Sequence, residues 1–90
     1  MEGKEWEVIP LDEQETILNI NYDEKVARLY TSRKAVAKRL FAKFGEPEII
    51  NEIDGRITSI TYVKSLHDKK IKPMFTMAVL VGGFRKPQKD

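Results

Sequence analysis

A single helical segment with β-rich sequence on both sides of it limits this chain to few folds. Residues 31–45, TSRKAVAKRLFAKFG, place apolar side chains at helical spacing, and Thr31 or Ser32 is expected to cap the start. Gly45 can take the left-handed conformation that ends a helix, and Pro47 prevents the helix from resuming. The segment therefore predicts one amphipathic helix in a 90-residue chain, a length that suits one domain.

Five β-rich runs surround this helix. Two precede it and are joined by the polar turn YDEK, which favours a hairpin. Two follow it and are joined by Asp54-Gly55, a dipeptide typical of tight hairpin turns. The last run is apolar, ends at Gly82-Gly83 and is predicted to be a fifth strand. The runs are TILNINY (16–22), VARLYT (26–31), EIINEI (48–53), RITSITYV (56–63) and MFTMAVLV (74–81).

These elements follow one another in the order β-β-α-β-β-β. Because one helix cannot cover both faces of a sheet, we expect an α+β fold, with an antiparallel sheet of four to five strands and one helix packed on one face. Residues 15–83 are predicted to form this domain, residues 1–14 an acidic leader or edge strand, and residues 84–90 a basic tail. The opposite face of the sheet is expected to be exposed to solvent, to be covered by a second copy, or to bind a partner.

The formal net charge of +2 conceals an uneven distribution. Residues 1–24 hold eight acids and a single cation, Lys4, whereas residues 25–90 hold fifteen lysines and arginines and six acids. A basic body predicts an electrostatic partner. Equally, the acidic leader could lie against the body and neutralise it locally.

The helical segment carries five cations and no acid. At 100° per residue, the apolar stripe is bordered by cations on both sides, and the outermost line holds only Ala35 and Ala42. One interpretation is that the cations are good helix formers whose stems cover the edges of the core. The other is that the alanine ridge lets a phosphate-bearing surface approach closely while the cations bind it. The cations are Arg33, Lys34, Lys38, Arg39 and Lys43.

Further candidate contacts lie in the second half of the chain and on the strands. Secondary phosphate contacts are predicted at Lys69, Lys70, Lys72, Arg85 and Lys86. Exposed tyrosine rings beside the cations could stack on unpaired bases, although tyrosines are also ordinary half-buried sheet residues. The tyrosines are Tyr22, Tyr30 and Tyr62. Trp6 could anchor the leader to the sheet or touch a partner.

Features of catalytic or metal chemistry are sparse. His67 and Asp68 are adjacent on a predicted loop and have no second histidine, which favours a surface histidine over a metal or acid–base site. The VGGF segment lacks the spacing of a phosphate loop, and no nucleophile motif is present. We therefore expect no enzyme activity, cofactor or metal. The absence of cysteine, of a signal peptide and of a long apolar run favours a cytoplasmic protein without a membrane partner.

Residues 15–40, ETILNINYDEKVARLYTSRKAVAKRL, resemble small uncharacterised proteins of phages and integrative elements of Gram-positive bacteria. In those proteins an ET-plus-hydrophobic strand leads to a YT or YTS motif and a helix, and a segment like FRKP (84–87) lies near the C-terminus. The similarity covers about a third of the chain, and the SLHDKKIKPMFTMAVLVGGF segment departs from the pattern. The resemblance implies no site residues. It implies an anti-defence role as one alternative.

Two functions are therefore predicted. The first is a non-enzymatic accessory protein that binds nucleic acid or a nucleoprotein through its basic helix. The alternative is a phage-type, anti-CRISPR-like inhibitor that binds a host defence or nucleic-acid enzyme, with an acidic or nucleic-acid-binding protein as its partner. A homodimer is also expected, because the uncovered face of the sheet would otherwise leave apolar side chains in water. It could form by packing of this face or by pairing of an exposed edge strand.

Overall fold

The computed structural model describes residues 3–81, which form a four-stranded sheet, two α-helices and a short 3-10 helix. The 3-10 helix covers Leu11–Glu13 and precedes the first strand. The strands are β1 (Thr16–Asn21), β2 (Val26–Thr31), β3 (Ile49–Ile53) and β4 (Arg56–Ser65), and the helices are α1 (Lys34–Phe44) and α2 (Ile71–Leu80). The predicted basic tail and its two candidate contacts, Arg85 and Lys86, lie outside the described residues.

The sheet has the strand order β1-β2-β4-β3, and every neighbouring pair is antiparallel. Asp54 and Gly55 both have positive φ, 52° and 80°, which is the conformation that a tight turn between β3 and β4 requires. A bulge lies where Asn51 and Glu52 of β3 meet β4. The predicted α+β class, with an antiparallel sheet and a helix packed on one face, is confirmed.

Helix α2 replaces the predicted fifth strand, and this prediction was wrong. Met74, Met77 and Ala78 are buried, and their i, i+3, i+4 spacing is that of one helical face. Pro73 is the third residue of the helix, where its missing N–H costs no helical hydrogen bond. A short apolar run fits a buried strand and a buried helix equally well, so the run alone did not decide between them.

Helix α1 forms where it was predicted, but its start is not capped as expected. Thr31 is the last residue of β2, and its hydroxyl accepts the Arg33 backbone N–H at 3.0 Å. The Ser32 hydroxyl accepts the Glu15 backbone N–H at 2.8 Å. Arg33 is therefore the N-cap residue, without a side-chain cap, and the predicted cap at Thr31 or Ser32 was wrong. At the other end, Gly45 has the expected positive φ of 81°, with ψ of −150°.

Both helices lie on one face of the sheet. One buried cluster joins Leu40 of α1 and Met74 of α2 to Leu29 and Tyr62 of the two central strands. Leu18, Ile20 and Ile50 pack against this cluster from the outer strands. The alternate residues of the strands point to the other face, on which neither helix lies. We call it the open face; it carries Ile17, Asn19, Val26, Arg28, Tyr30, Ile49, Asn51, Thr61 and Val63.

Candidate nucleic-acid interface

The solvent side of α1 has the basic character that the sequence predicts. Val36, Ala37 and Leu40 are buried against the sheet, so the helix can turn only its other side to water. The side chains on that side are exposed, and they comprise two alanines flanked by cations: Lys34, Ala35, Lys38, Arg39, Ala42 and Lys43. No acid interrupts the helix. We call the four cations of this set the α1 basic face.

The α1 basic face is not neutralised within the described part of the chain. Among residues 3–81, none of its four cations forms an ion pair with a described acid. The leader instead binds the β3–β4 hairpin: Glu7 pairs with Arg56 at 2.7 Å, and Lys4 pairs with Glu52 at 2.8 Å. The hydrogen bond and charge of Glu7 raise the pKa of Arg56. The leader therefore lies against the body and neutralises Arg56 locally, but among these residues it forms no ion pair with the α1 basic face.

The leader is held to the sheet by backbone as well as side-chain bonds. Ile57 donates its N–H to the Glu5 carbonyl at 2.8 Å and accepts the Glu7 N–H at 2.9 Å, which forms a parallel bridge at Trp6. The Trp6 side chain is partly buried against the core. Of its two predicted roles, Trp6 therefore has the first, because it anchors the leader to the sheet.

Arg33 differs from the other predicted helix contacts. Its Nε donates to the Gln14 Oε1 at 3.2 Å, and the Gln14 Nε2 donates to the Ile9 carbonyl at 2.9 Å. These bonds link the start of α1 to the end of the leader. Arg33 is exposed, but part of its hydrogen-bonding capacity is already used.

The second group of predicted contacts lies around the start of α2. Lys69, Lys70 and Lys72 are exposed, and Lys72 belongs to α2. The Lys70 backbone N–H donates to the Asp68 Oδ1 at 2.7 Å, so Asp68 orders this turn. The register pairs Thr31 with Ile60 and Val26 with Ser65, so α1 and α2 begin at opposite ends of the central strands. Lys69, Lys70 and Lys72 thus lie immediately before α2 and in its first turn, on a different element from the four cations of α1.

The tyrosines do not form a stacking surface beside the α1 basic face. Tyr62 is fully buried, its ring lies 5.6 Å from that of Phe44, and its hydroxyl donates to the Gly45 carbonyl at 2.6 Å. Of the two alternatives for this tyrosine, Tyr62 is therefore a sheet residue of the core and not a stacking residue, because β4 turns its side chain into the core. Tyr30 lies half-buried on the open face, away from α1, and Tyr22 is exposed in the β1–β2 turn.

Three further features of the described residues concern metal binding, the lone histidine and membrane spanning. Between residues 3 and 81, no three His, Asp or Glu side chains gather into a group that could hold a metal ion. His67 is exposed in the turn before α2, as a surface histidine should be. Neither α1 nor α2 is long and apolar enough to span a bilayer.

Comparison with protein-family models, with curated proteins and with solved structures finds no match for this chain. The resemblance of residues 15–40 to phage and integrative-element proteins therefore stays a prediction.

Proposed function

We propose that this protein is a non-enzymatic accessory protein that binds the phosphate backbone of nucleic acid, or of a nucleoprotein, in the cytoplasm. The observation that carries the proposal is the α1 basic face: four exposed cations on one helix with no described acid paired to them. Surface lysines and arginines usually alternate with acids, because i,i+4 pairs stabilise helices. A helix without such pairs keeps its cations available to an external anion.

The shape of α1 suits a phosphate backbone. Ala35 and Ala42 are exposed between the cations and project only a methyl group, so a strand can approach the helix closely. Each lysine or arginine that meets a phosphate releases condensed counterions, and this release supplies most of non-specific affinity. The first-turn amides of α1 have no side-chain cap, and they also point toward any anion at that end.

The same surface offers little for reading bases. Among the described residues, no tyrosine or tryptophan ring is exposed on α1, and Arg39 is the one side chain of the α1 basic face with a planar fork for a bidentate bond to a base edge. We therefore expect binding with little sequence preference and a strong dependence on salt.

The test is a binding titration across a salt series. Labelled duplex and single-stranded DNA and RNA are titrated with the wild type and with a variant in which Lys34, Lys38, Arg39 and Lys43 are replaced by Gln. The slope of log K against log salt should flatten by up to about 0.9 for each lost contact on duplex DNA, or about 0.7 on single strands. A wild type with no salt-dependent affinity for any nucleic acid at low ionic strength would exclude the proposal.

A second function is favoured by the attachment of the leader. Glu5, Asp12 and Glu13 of the leader are exposed, as is Glu15, which follows the leader. This segment is held by the bonds at Ile57 and Ser32. A fixed acidic surface is what a protein inhibitor would need to occupy a basic groove on a nucleic-acid enzyme. If nucleic acid does not bind, this inhibitor proposal is the one to test, by replacing the four acids with their amides and measuring inhibition of candidate enzymes.

A further inference from the structure

Strand β1 has one edge that no described residue uses. Glu15 accepts the Ser32 N–H in the register of the β1–β2 ladder, so the odd-numbered residues of β1 bond to β2. The N–H and C=O groups of Thr16, Leu18 and Ile20 must then point away from the sheet. No hydrogen bond from residues 3–81 reaches these six groups. They form a row of free donors and acceptors beside the sheet.

The opposite edge, at β3, is protected in ways that β1 is not. Strand β3 carries a charged residue, Glu52, and its pairing with β4 is irregular at Asn51 and Glu52, where β4 bulges. Charges and bulges are the common means by which proteins prevent pairing at an edge strand. Strand β1, TILNIN, has six residues in regular register, no charge and no proline. Its edge is therefore open to pairing with another strand.

We propose that β1 pairs antiparallel with β1 of a second copy of this chain and joins the two sheets into one of eight strands. About a twofold axis at Leu18, Thr16 lies opposite Ile20 of the second copy, and Ile17 lies opposite Asn19. All six outward groups of each strand face the other strand in this arrangement. The contact is the same for both copies, so the assembly closes at two chains.

The side chains of β1 explain why a second copy fits better than an unrelated peptide. Leu18 and Ile20 lie at the rim of the core and are only partly buried. Antiparallel pairing about a twofold axis keeps each residue on its own face of the joined sheet, so the two rims meet and cover each other. Ile17, 40% exposed, gains a neighbour on the open face.

The proposed dimer has a consequence for binding that rests on the proposed function. A twofold axis perpendicular to the sheet leaves the helices of both copies on the same side. Two α1 basic faces would then line one surface, and a long nucleic acid could bind both. The dimer itself does not depend on this, because its contacts are the backbone groups of β1.

The acids near β1 give the dimer its own salt dependence. Asp12 and Glu13 precede the strand, and Asp23 and Glu24 follow it, although Glu24 is partly neutralised by its 3.2 Å ion pair with Arg28. Antiparallel pairing brings Asp12 and Glu13 of one copy toward Asp23 and Glu24 of the other. The like charges repel each other, and salt screens this repulsion. Dimerisation should therefore strengthen as salt is added, whereas nucleic-acid binding should weaken, so the two proposals can fail separately.

The test compares two matched double variants by light scattering and sedimentation across a concentration series. Ile17→Lys with Asn19→Lys places lysines opposite lysines across the proposed contact, which should weaken dimerisation at least about tenfold. Ile49→Lys with Asn51→Lys is the control. It changes the same residue types on the open face of the other edge strand, where Ile49 is 43% exposed. Circular dichroism confirms that both variants are folded.

The wild type and the Ile49/Asn51 variant should have twice the 10.4 kDa mass of one chain, and the Ile17/Asn19 variant should have the monomer mass. Amide exchange at Thr16, Leu18 and Ile20 should be slow in the wild type and fast in the Ile17/Asn19 variant. A monomeric wild type would overturn the proposal. Equal loss of the dimer in both variants would also overturn it, because that result indicates packing through the open face.

Discussion

The Tyr62 hydroxyl donates a 2.6 Å hydrogen bond to the Gly45 carbonyl oxygen and so ties β4 to the residue that ends α1. Tyr62→Phe keeps the ring and its contact with Phe44 but leaves the Gly45 carbonyl without this donor. We expect a loss of about 1–3 kcal/mol in the free energy of unfolding, measured in urea. Tyr22→Phe, at an exposed position, is the control and should change stability by less than about 0.5 kcal/mol.

Tyr62 should also make the protein less stable in alkali. Burial, with the nearby charges of Glu46 and Glu48, raises the pKa of Tyr62 above its ordinary value of 10.0. As the pH rises through 10.0, the unfolded chain loses the phenol proton while the folded chain keeps it, so the unfolded state is favoured. The free energy of unfolding should fall above this pH, and less steeply in Tyr62→Phe. Equal slopes in both proteins would contradict the assignment.

Leu40 is the residue of α1 on which packing against the sheet depends most clearly. It is fully buried in the cluster that joins both helices to the central strands. Leu40→Ala should cost about 2–5 kcal/mol in the free energy of unfolding, because it leaves a cavity in the core. Arg39→Ala, one residue away and exposed, should cost less than about 0.5 kcal/mol. Similar urea midpoints for the two variants would show that the helix faces are misassigned.

A pair of substitutions in α2 distinguishes the helix from the strand that its sequence suggested. Ala78 is buried and Leu80 is 61% exposed, although in a strand these two residues would share a face. Ala78→Glu should prevent folding or cost several kcal/mol, since it buries an unpaired charge, whereas Leu80→Glu should change stability by less than about 0.5 kcal/mol. Thermal unfolding measures both. Equal destabilisation would favour a strand.

Helix α1 and the two hairpins were predictable because local signals agreed. The apolar stripe ending at Gly45 and the Asp54-Gly55 turn each require one backbone conformation. In α2 the signals conflicted. The spacing of Met74, Met77 and Ala78 indicated a helix, while the largely apolar run before Gly82 suggested a strand. The helix prevails because its apolar residues join the core that α1 alone does not fill.

Strand β4 shows why the site was harder to predict than the fold. In a regular strand, Ile57 and Ile60 would point to opposite faces, and RITSITYV gives no sign of which face is buried. The bulge between β3 and β4 shifts the alternation, so Ile57, Ile60 and Tyr62 all enter the core. Because its ring is buried, Tyr62 cannot stack on a base. The exposure of the α1 cations was predictable, because an amphipathic helix can turn only one side to the sheet.

The final prediction separates contact by α1 from general attraction to a basic protein. Lys38→Gln and Lys25→Gln each lower the net charge by one, and both lysines are exposed. Lys38 belongs to the α1 basic face, whereas Lys25 lies in the turn between β1 and β2. If α1 meets the phosphates, only Lys38→Gln should flatten the salt slope, by up to about 0.9 on duplex DNA. Equal changes in both variants would indicate that the charge of the whole protein attracts nucleic acid, because a contact made by one helix cannot respond equally to a charge removed elsewhere.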